Sequence, residues 1–268
     1  MGHGGGRRAA AALVCALAWA ILAGAAQAAV REQTIDYHDG EVALQGTLYA
    51  DDAHNGPRPG VLVIHEWWGL NDYARQRARR LAELGYVAFA VDMYGAGKVT
   101  EHPKQAGEWA GMVTANVAAW RQRALAALAV LRAQAGVDPA RLAAIGYCFG
   151  GASVLQLAYS GADLRGVVSF HGSLPAADAA EVGHIRARIL VEHGGADGFV
   201  GPERVAAFEQ ALAGSAVDWR VTVHGGAKHG FTNPDAGDYG LEGLAYDARA
   251  DRRSWAAMQD FFGEIFAP

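Results

Sequence analysis

A cysteine stands in a glycine-rich turn that has the features of a reactive site. An apolar run, residues 142–145, leads into Gly-Tyr-Cys-Phe-Gly-Gly at 146–151, and a helical pattern of small residues follows. A strand, a sharp turn and a helix in this order form a nucleophile elbow, whose strained backbone exposes one side chain above a sheet. The pattern predicts that the Cys148 thiol is a nucleophile. The alternative is a small buried cysteine in a βα turn, since free cysteine is often buried.

Two further residues complete a set that could activate a thiol. Asp197 follows an apolar run at 188–192, and His229 lies in a glycine-rich loop after another at 219–223. The thiolate is the attacking form, so a histidine within reach can accept the thiol proton and later return it to a leaving group. An aspartate bonded to that histidine holds its tautomer and stabilises its cation. Cys148, Asp197 and His229 follow the chain order of an α/β-hydrolase triad.

The remaining histidines and two motif fragments are interpreted as structural. His171, His193 and His224 are expected to be hydrogen-bonded structural histidines. The His-Glu pair at 65–66 lacks the second histidine of a zinc-protease helix, and residues 92–99 lack the first glycine and final Ser/Thr of a phosphate loop. We therefore expect no metal, no nucleotide and no other cofactor.

Length and charge restrict the class of protein. The chain has 268 residues, 51% of them hydrophobic, which is enough to bury a sizeable core. Its net charge is −5 and it contains no basic tract, so a nucleic-acid partner is not expected. The partner expected instead is a small molecule.

Residues 1–28 have the features of a secretory signal peptide. Arg7 and Arg8 precede an uncharged run at 9–26, and Ala-Gln-Ala at 26–28 resembles a cleavage site. The alternative is an uncleaved anchor, because the run is almost long enough to cross a bilayer. Cleavage after Ala28 leaves Cys148 as the only cysteine and excludes an internal disulfide. We expect an exported protein, periplasmic or secreted, with no stable membrane association after cleavage.

The elements around the candidate residues alternate between strands and helices. Two strand-like segments at 34–37 and 42–49 flank a hairpin turn at Asp39-Gly40, and further strands are predicted at 60–64, 86–91, 142–145, 166–170, 188–192 and 219–223. Helices are predicted at 71–83, 103–135 with a break near 114–116, 151–159, 202–213 and about 241–266. The expected fold is α/β: a mostly parallel, doubly wound sheet with helices on both faces and antiparallel strands at its beginning. Residues 29–268 are expected to form one domain without a large cap domain.

Residues from about 34 to 266 resemble the dienelactone hydrolase family of α/β-hydrolases. Five segments carry the resemblance: His-Glu-Trp-Trp-Gly-Leu-Asn at 65–71, Asp-Met-Tyr at 92–94, the cysteine turn, the Asp197 loop, and His-Gly-Phe at 229–231. The resemblance implies that Glu66 lies against the thiol, where it could accept a proton or repel the thiolate. It also implies an oxyanion hole made by the backbone N–H groups of Trp67 and Phe149. The alternative for Glu66 is a solvated loop acid.

This chain departs from the family at two positions. The family's founding enzyme holds its substrate's carboxylate with two arginines, and the matching positions here are Ala96 and Asn233. Without these cations a dienelactone loses its main anchor, so the substrate is expected to be a less charged ester, lactone or thioester. Four aromatic residues are expected to line the pocket, with ordinary core packing as the alternative: Trp68, Tyr94, Phe199 and Phe231.

The function expected from the sequence is ester-bond hydrolysis through an acyl-enzyme on Cys148. The alternative, from another class, is a non-catalytic ligand-binding or redox-responsive protein that keeps the fold and uses the thiol as an oxidation target. The presence of both Asp197 and His229 favours the enzyme.

Overall fold

The computed structural model describes residues 1–2, 30–53 and 56–267. They form one open sheet of eight strands with helices on both of its faces. All but the first two residues of the predicted signal peptide lie outside the described residues.

The sheet confirms the predicted mostly parallel topology. Spatially the strands follow the order β1-β2-β4-β3-β5-β6-β7-β8. The first two pair antiparallel with each other, and β2 pairs antiparallel with β4, whereas every other neighbouring pair is parallel. The strands are β1 (Val30–Asp39), β2 (Val42–Asp51), β3 (Arg58–Ile64), β4 (Val87–Val91), β5 (Val137–Tyr147), β6 (Gly166–Phe170), β7 (Arg188–Gly194) and β8 (Trp219–His224).

Seven α-helices connect or follow the strands in the part of the chain that the structure describes. They are α1 (Asp72–Glu83), α2 (Pro103–Thr114), α3 (Val117–Arg132), α4 (Phe149–Tyr159), α5 (Ala179–His184), α6 (Pro202–Leu212) and α7 (Ala248–Phe266). The predicted break between α2 and α3 is confirmed, and Asn116 caps α3 by accepting a hydrogen bond from the Ala119 N–H. Among the described helices, none combines the length and apolarity needed to cross a membrane.

The core has two layers because alternate residues of a strand face opposite sides of the sheet. On β3, Leu62 and Ile64 belong to the cluster that includes residues of α3, α4 and α6. Val61 and Val63 belong to the opposite cluster, which includes residues of α1 and α7. The continuous apolar runs in the sequence reflect this burial on both faces.

Two predicted helical segments differ from the structure. The last helix begins at Ala248, not near residue 241, because the Asp247 side chain caps it by accepting from the N–H groups of Arg249 and Ala250. Residues 241–247 instead form turns beside the His229 loop, where the Ala245 N–H donates to the His229 carbonyl. The short helix α5 was not predicted; its first turn is closed by a capping box between Asp178 and Glu181.

Candidate active site

The turn between β5 and α4 holds Cys148 in a strained conformation. Its φ is 53° and its ψ is −113°, a region that residues with a side chain rarely occupy. The glycines on either side permit this turn: a Cβ on Gly146 would lie 2.0 Å from the Gly150 carbonyl oxygen, and one on Gly150 would lie 2.2 Å from that of Ile64. The backbone N–H of Cys148 donates to the Phe170 carbonyl of β6 at 3.0 Å. The thiol is partly exposed at the first turn of α4.

The structure brings Cys148, His229 and Asp197 together. The His229 ring donates through Nδ1 to Asp197 Oδ2 at 2.7 Å, which leaves Nε2 for the thiol. Asp197 Oδ1 accepts from the N–H groups of Phe199 and Val200 at 2.9 and 3.0 Å. The loops after β5, β7 and β8 thus place three predicted residues at the same edge of the sheet.

Electrostatics favour an anionic aspartate and a cationic histidine. Burial alone would raise the pKa of Asp197, but hydrogen bonds from His229, Phe199 and Val200 outweigh it and lower that pKa. Burial would lower the pKa of His229, yet the charge and hydrogen bond of Cys148, together with Asp197, raise it to about 10. The Cys148 thiol and Asp197 thus act together on His229, and both favour its imidazolium form.

Two backbone N–H groups, that of Trp67 in the wall of the same cavity and that of Phe149 next to Cys148 in the chain, have no acceptor among the described residues. Phe149 begins α4, so its N–H has no carbonyl four residues back within the helix. The Trp67 N–H, three residues beyond the end of β3, donates no hydrogen bond within the described chain. Such a pair of free amides can hold the negative oxygen of a tetrahedral intermediate.

Glu66 is buried, and its carboxylate has a hydrogen-bond partner that the sequence did not predict. Its Oε2 accepts from the Asn233 side-chain amide at 2.6 Å, whereas the thiol interacts with His229. Burial is the main influence on Glu66; Asn233 and His229 offset it in part, and the net effect raises its pKa to about 7. The approach of Glu66 to Cys148 stays a prediction, while the observed partner of its carboxylate is Asn233, which stands where the founding enzyme has an arginine.

A cavity of about 190 Å³ opens beside Cys148 and His229. Of the four predicted pocket residues only Phe199 lines it, and this residue is 56% exposed. The other lining residues are Trp67, Ser173, Val200 and Leu244. Outside His229, no lining side chain carries a titratable cation, so this part of the described chain offers no clamp for a substrate carboxylate.

The prediction that Trp68, Tyr94 and Phe231 line the pocket is wrong, because all three are packed into the protein. Trp68 stacks on Tyr239 with ring centroids 3.9 Å apart. Phe231 is fully buried between the rings of His171 and His224. Tyr94 is buried against the Phe149 ring, although its hydroxyl donates to the Trp67 carbonyl at 3.1 Å.

Three lining residues were not predicted from the sequence. Ser173 follows β6 in a short loop, and Val200 lies three residues after Asp197. Leu244 lies in the segment that was assigned to the last helix, where it forms an isolated β-bridge with His229. A hydrophobic residue flanked by glycine and alanine carries no recognisable signal, so only the three-dimensional structure identifies it.

Two of the remaining histidines have the expected structural partners. His224 Nε2 pairs with Glu192 Oε2 at 2.6 Å, and His171 Nε2 pairs with the Thr232 hydroxyl at 2.7 Å. Burial lowers the pKa of His171 well below its ordinary value, with the nearby His229 adding to the effect. Within the described ranges, no group of three or more His, Cys, Asp and Glu residues has an arrangement that could hold a metal ion.

Comparison with known proteins places these observations in a family. The model of the dienelactone hydrolase family matches residues 44–266. A dienelactone hydrolase-like promiscuous phosphotriesterase from metagenomic libraries is 44% identical and superposes with a TM-score of 0.87, covering 89% of this chain and 100% of its own.

Two curated relatives are more distant in sequence. An uncharacterised protein of Caenorhabditis elegans is 36% identical over 149 residues, which is 55% of this chain and 94% of that protein. Protein usf of Aquifex pyrophilus is 28% identical over 237 residues, covering 87% of this chain and 98% of the relative.

Proposed function

The chain belongs to the dienelactone hydrolase family, whose members hydrolyse ester bonds, and on that premise we propose that it is a cysteine-dependent hydrolase of small, uncharged esters, lactones or thioesters. One observation carries the proposal: a strained, partly exposed Cys148 interacts with a His229 ring that Asp197 holds at 2.7 Å. This arrangement supplies a nucleophile, a proton acceptor and an orienting carboxylate.

The proposed reaction has two stages. The thiolate of Cys148 attacks the acyl carbon, and the N–H groups of Trp67 and Phe149 stabilise the negative oxygen that forms. His229 then returns a proton to the departing alcohol or thiol, which leaves an acyl group on the sulfur. A water molecule that gives its proton to His229 attacks this thioester, releases the acid and restores Cys148.

The cavity supports a small, uncharged acyl group. Its volume is about 190 Å³, and its walls include Trp67, Phe199, Val200 and Leu244. The two positions that carry arginines in the founding enzyme are Ala96 and Asn233 here, and Asn233 is engaged with Glu66. Short aliphatic esters are therefore expected to react faster than esters that carry a carboxylate.

The replacement Cys148→Ala tests the proposal. We expect kcat/KM for p-nitrophenyl acetate to fall by about 10⁴-fold or more, because the acyl-enzyme can no longer form. Ser215→Ala, on the loop after α6 and outside the cavity, is the matched control and should keep wild-type turnover. A burst of p-nitrophenol stoichiometric with enzyme would support the acyl-enzyme intermediate. Wild-type turnover by Cys148→Ala would refute the proposed function.

Phosphotriester hydrolysis is a second candidate, favoured by the 44% identical phosphotriesterase. The same thiolate and amides could serve attack on phosphorus. Turnover of a p-nitrophenyl dialkyl phosphate by the wild type, and its loss in Cys148→Ala, would support this activity. If neither ester nor phosphotriester is hydrolysed while peroxide alters the binding of a ligand, the non-catalytic alternative is favoured.

Export is part of the proposal. The charged start, apolar run and Ala-Gln-Ala at 26–28 support removal of residues 1–28 and a periplasmic or secreted location. The mature protein would then consist of residues 29–268, with Cys148 as its single thiol.

A further inference from the structure

A buried histidine that takes no part in the proposed chemistry lies at the carboxyl edge of the sheet. His65 follows the last residue of β3 and is completely buried. Its ring stacks on the Phe149 ring with centroids 5.8 Å apart and meets the Tyr94 ring edge-on at 4.8 Å. His65 belongs to the loop that carries Trp67, and its ring packs against the start of α4. These two segments hold the two free N–H groups.

The hydrogen bonds of His65 determine its tautomer. The Met93 N–H, just beyond β4, donates to Nε2 at 3.2 Å, so Nε2 is unprotonated. Nδ1 then carries the proton and donates it to the Glu66 carbonyl. Burial lowers the pKa of His65, more than the adjacent carbonyl and Asp92 raise it, which favours the neutral ring. One side chain thus ties the ends of two neighbouring strands together.

The carbonyl that His65 holds belongs to the same peptide group as the Trp67 N–H. A trans peptide group is planar, with its C=O and N–H directed oppositely. Fixing the Glu66 oxygen therefore fixes the direction of the Trp67 N–H. The only other donor to this oxygen among the described residues is the Gly69 N–H, at a long 3.4 Å.

We propose that His65 is a positioning residue for the oxyanion hole: its Nδ1–H orients the Glu66–Trp67 peptide group so that the Trp67 N–H faces the reacting oxygen. The next peptide group is held in the same way, because the Tyr94 hydroxyl donates to the Trp67 carbonyl at 3.1 Å. Trp67 is thus restrained on both sides, while its N–H makes no other hydrogen bond within the described chain.

Two substitutions of His65 distinguish the role of the Nδ1–H donor from that of the aromatic ring. In asparagine the side-chain nitrogen is as many bonds from Cα as Nδ1 is, so His65→Asn can still donate to Glu66. In glutamine the terminal group corresponds to Nε2, so His65→Gln can accept from Met93 but cannot make the donor contact. Both lose the aromatic ring and its stacking, which makes each the control for the other.

We expect kcat of His65→Gln to lie at least about tenfold below that of His65→Asn. This loss is smaller than the loss of about a hundredfold or more that follows when a hydrogen-bond donor of an oxyanion hole is deleted. KM should differ by less than about twofold, because the contact acts in the transition state. Thermal unfolding of the two variants should agree. Equal kcat values in two folded variants would overturn the proposal.

Two probes of the same thiol distinguish positioning from general damage. A trifluoromethyl ketone adds to the sulfur, and the carbonyl electron pair moves to oxygen, so its inhibition constant should rise as kcat falls. Alkylation by iodoacetamide creates no oxyanion, so its rate should be equal in both variants. If alkylation of His65→Gln were slowed as much as its kcat, the defect would lie in the reactivity of the thiol, and the inference would be contradicted.

The inference rests on the proposed function, and the design keeps their failures apart. Absence of ester turnover in the wild type would refute the function, whereas turnover in the wild type with no difference between the two His65 variants would refute only the positioning role. Tyr94→Phe, which removes a single hydroxyl, is a variant with little risk to folding. Tyr94→Phe should lower kcat, as His65→Gln does, and leave the rate of iodoacetamide alkylation unchanged. An unchanged kcat would contradict the restraint of the Trp67 peptide group.

Discussion

Glu66 is a buried carboxyl group whose ionisation opposes folding. Burial raises its pKa from the ordinary 4.5 to about 7, although Asn233 and His229 partly offset the effect. A folded-state pKa above the unfolded value means that the folded protein binds the proton more tightly. Its contribution is therefore most favourable below about pH 4.5 and is lost as the pH rises to about 7.

Glu66→Gln should remove this dependence, because a neutral amide can still accept the hydrogen bond from Asn233. We expect the free energy of unfolding of the variant, relative to the wild type, to increase by roughly 2 kcal/mol between pH 5 and pH 8. Urea unfolding at several pH values measures it. Glu41→Gln, at an exposed position, is the control and should show no such trend. A constant difference between Glu66→Gln and the wild type would contradict the raised pKa.

The elbow between β5 and α4 depends on backbone contacts that leave no room for side chains. Gly150→Ala would force a Cβ to 2.2 Å from the Ile64 oxygen. We expect it to lower the free energy of unfolding by about 3 kcal/mol or more, because neither backbone segment can yield without moving the sheet. Chemical denaturation measures the loss.

Gly263→Ala is the matched control for this element. Gly263 is exposed inside α7, and a Cβ there would meet nothing within 4 Å. This change should stabilise the protein by about 0.5–1 kcal/mol, because alanine loses less backbone entropy in a helix. A similar loss of stability in both variants would argue against a specific clash at the elbow.

The sequence predicted the elements whose pattern is local and missed those determined by contacts at a distance. Residues 60–64 of β3 and all of β4 and β6 are buried and mostly apolar because both faces of the sheet are covered, so their positions could be predicted. The start of α7 could not, because a helical pattern at 241–247 gives way to the Asp247 cap and to bonds with the His229 loop.

The candidate site divides in the same way. Residue type and chain order indicated Cys148, Asp197 and His229, and their proximity now supports that assignment. Which aromatic residues line the pocket depends on which of them are buried in the core. Phe231 is buried and Phe199 is not, although both were predicted on the same grounds to line the pocket. The pairing of Glu66 with Asn233 requires two segments distant in sequence, so no local pattern could reveal it.

At the scale of the whole molecule, export can be tested on the chain as it is made. We expect the protein expressed in a Gram-negative host to appear in the periplasmic fraction with an N-terminus at Ala29, because signal peptidase cleaves after a small-x-small sequence. Intact mass and N-terminal sequencing measure this. Replacing Ala26 and Ala28 with bulky residues should retain the full length, and cleavage at an unrelated position would contradict the assigned site.

The orientation of β1 and α7 determines how this protein could be attached to a support. Because β1 is antiparallel to β2, and β2 to β4, β1 runs in the same direction as the parallel strands, so it begins at the edge of the sheet opposite Cys148. The end of α7 lies at that same edge, where Ile265 and Ala267 border a groove with Arg165 and Arg188 from the beginnings of β6 and β7. Coupling through either end would leave the cavity mouth turned toward the bulk solution, accessible to substrate.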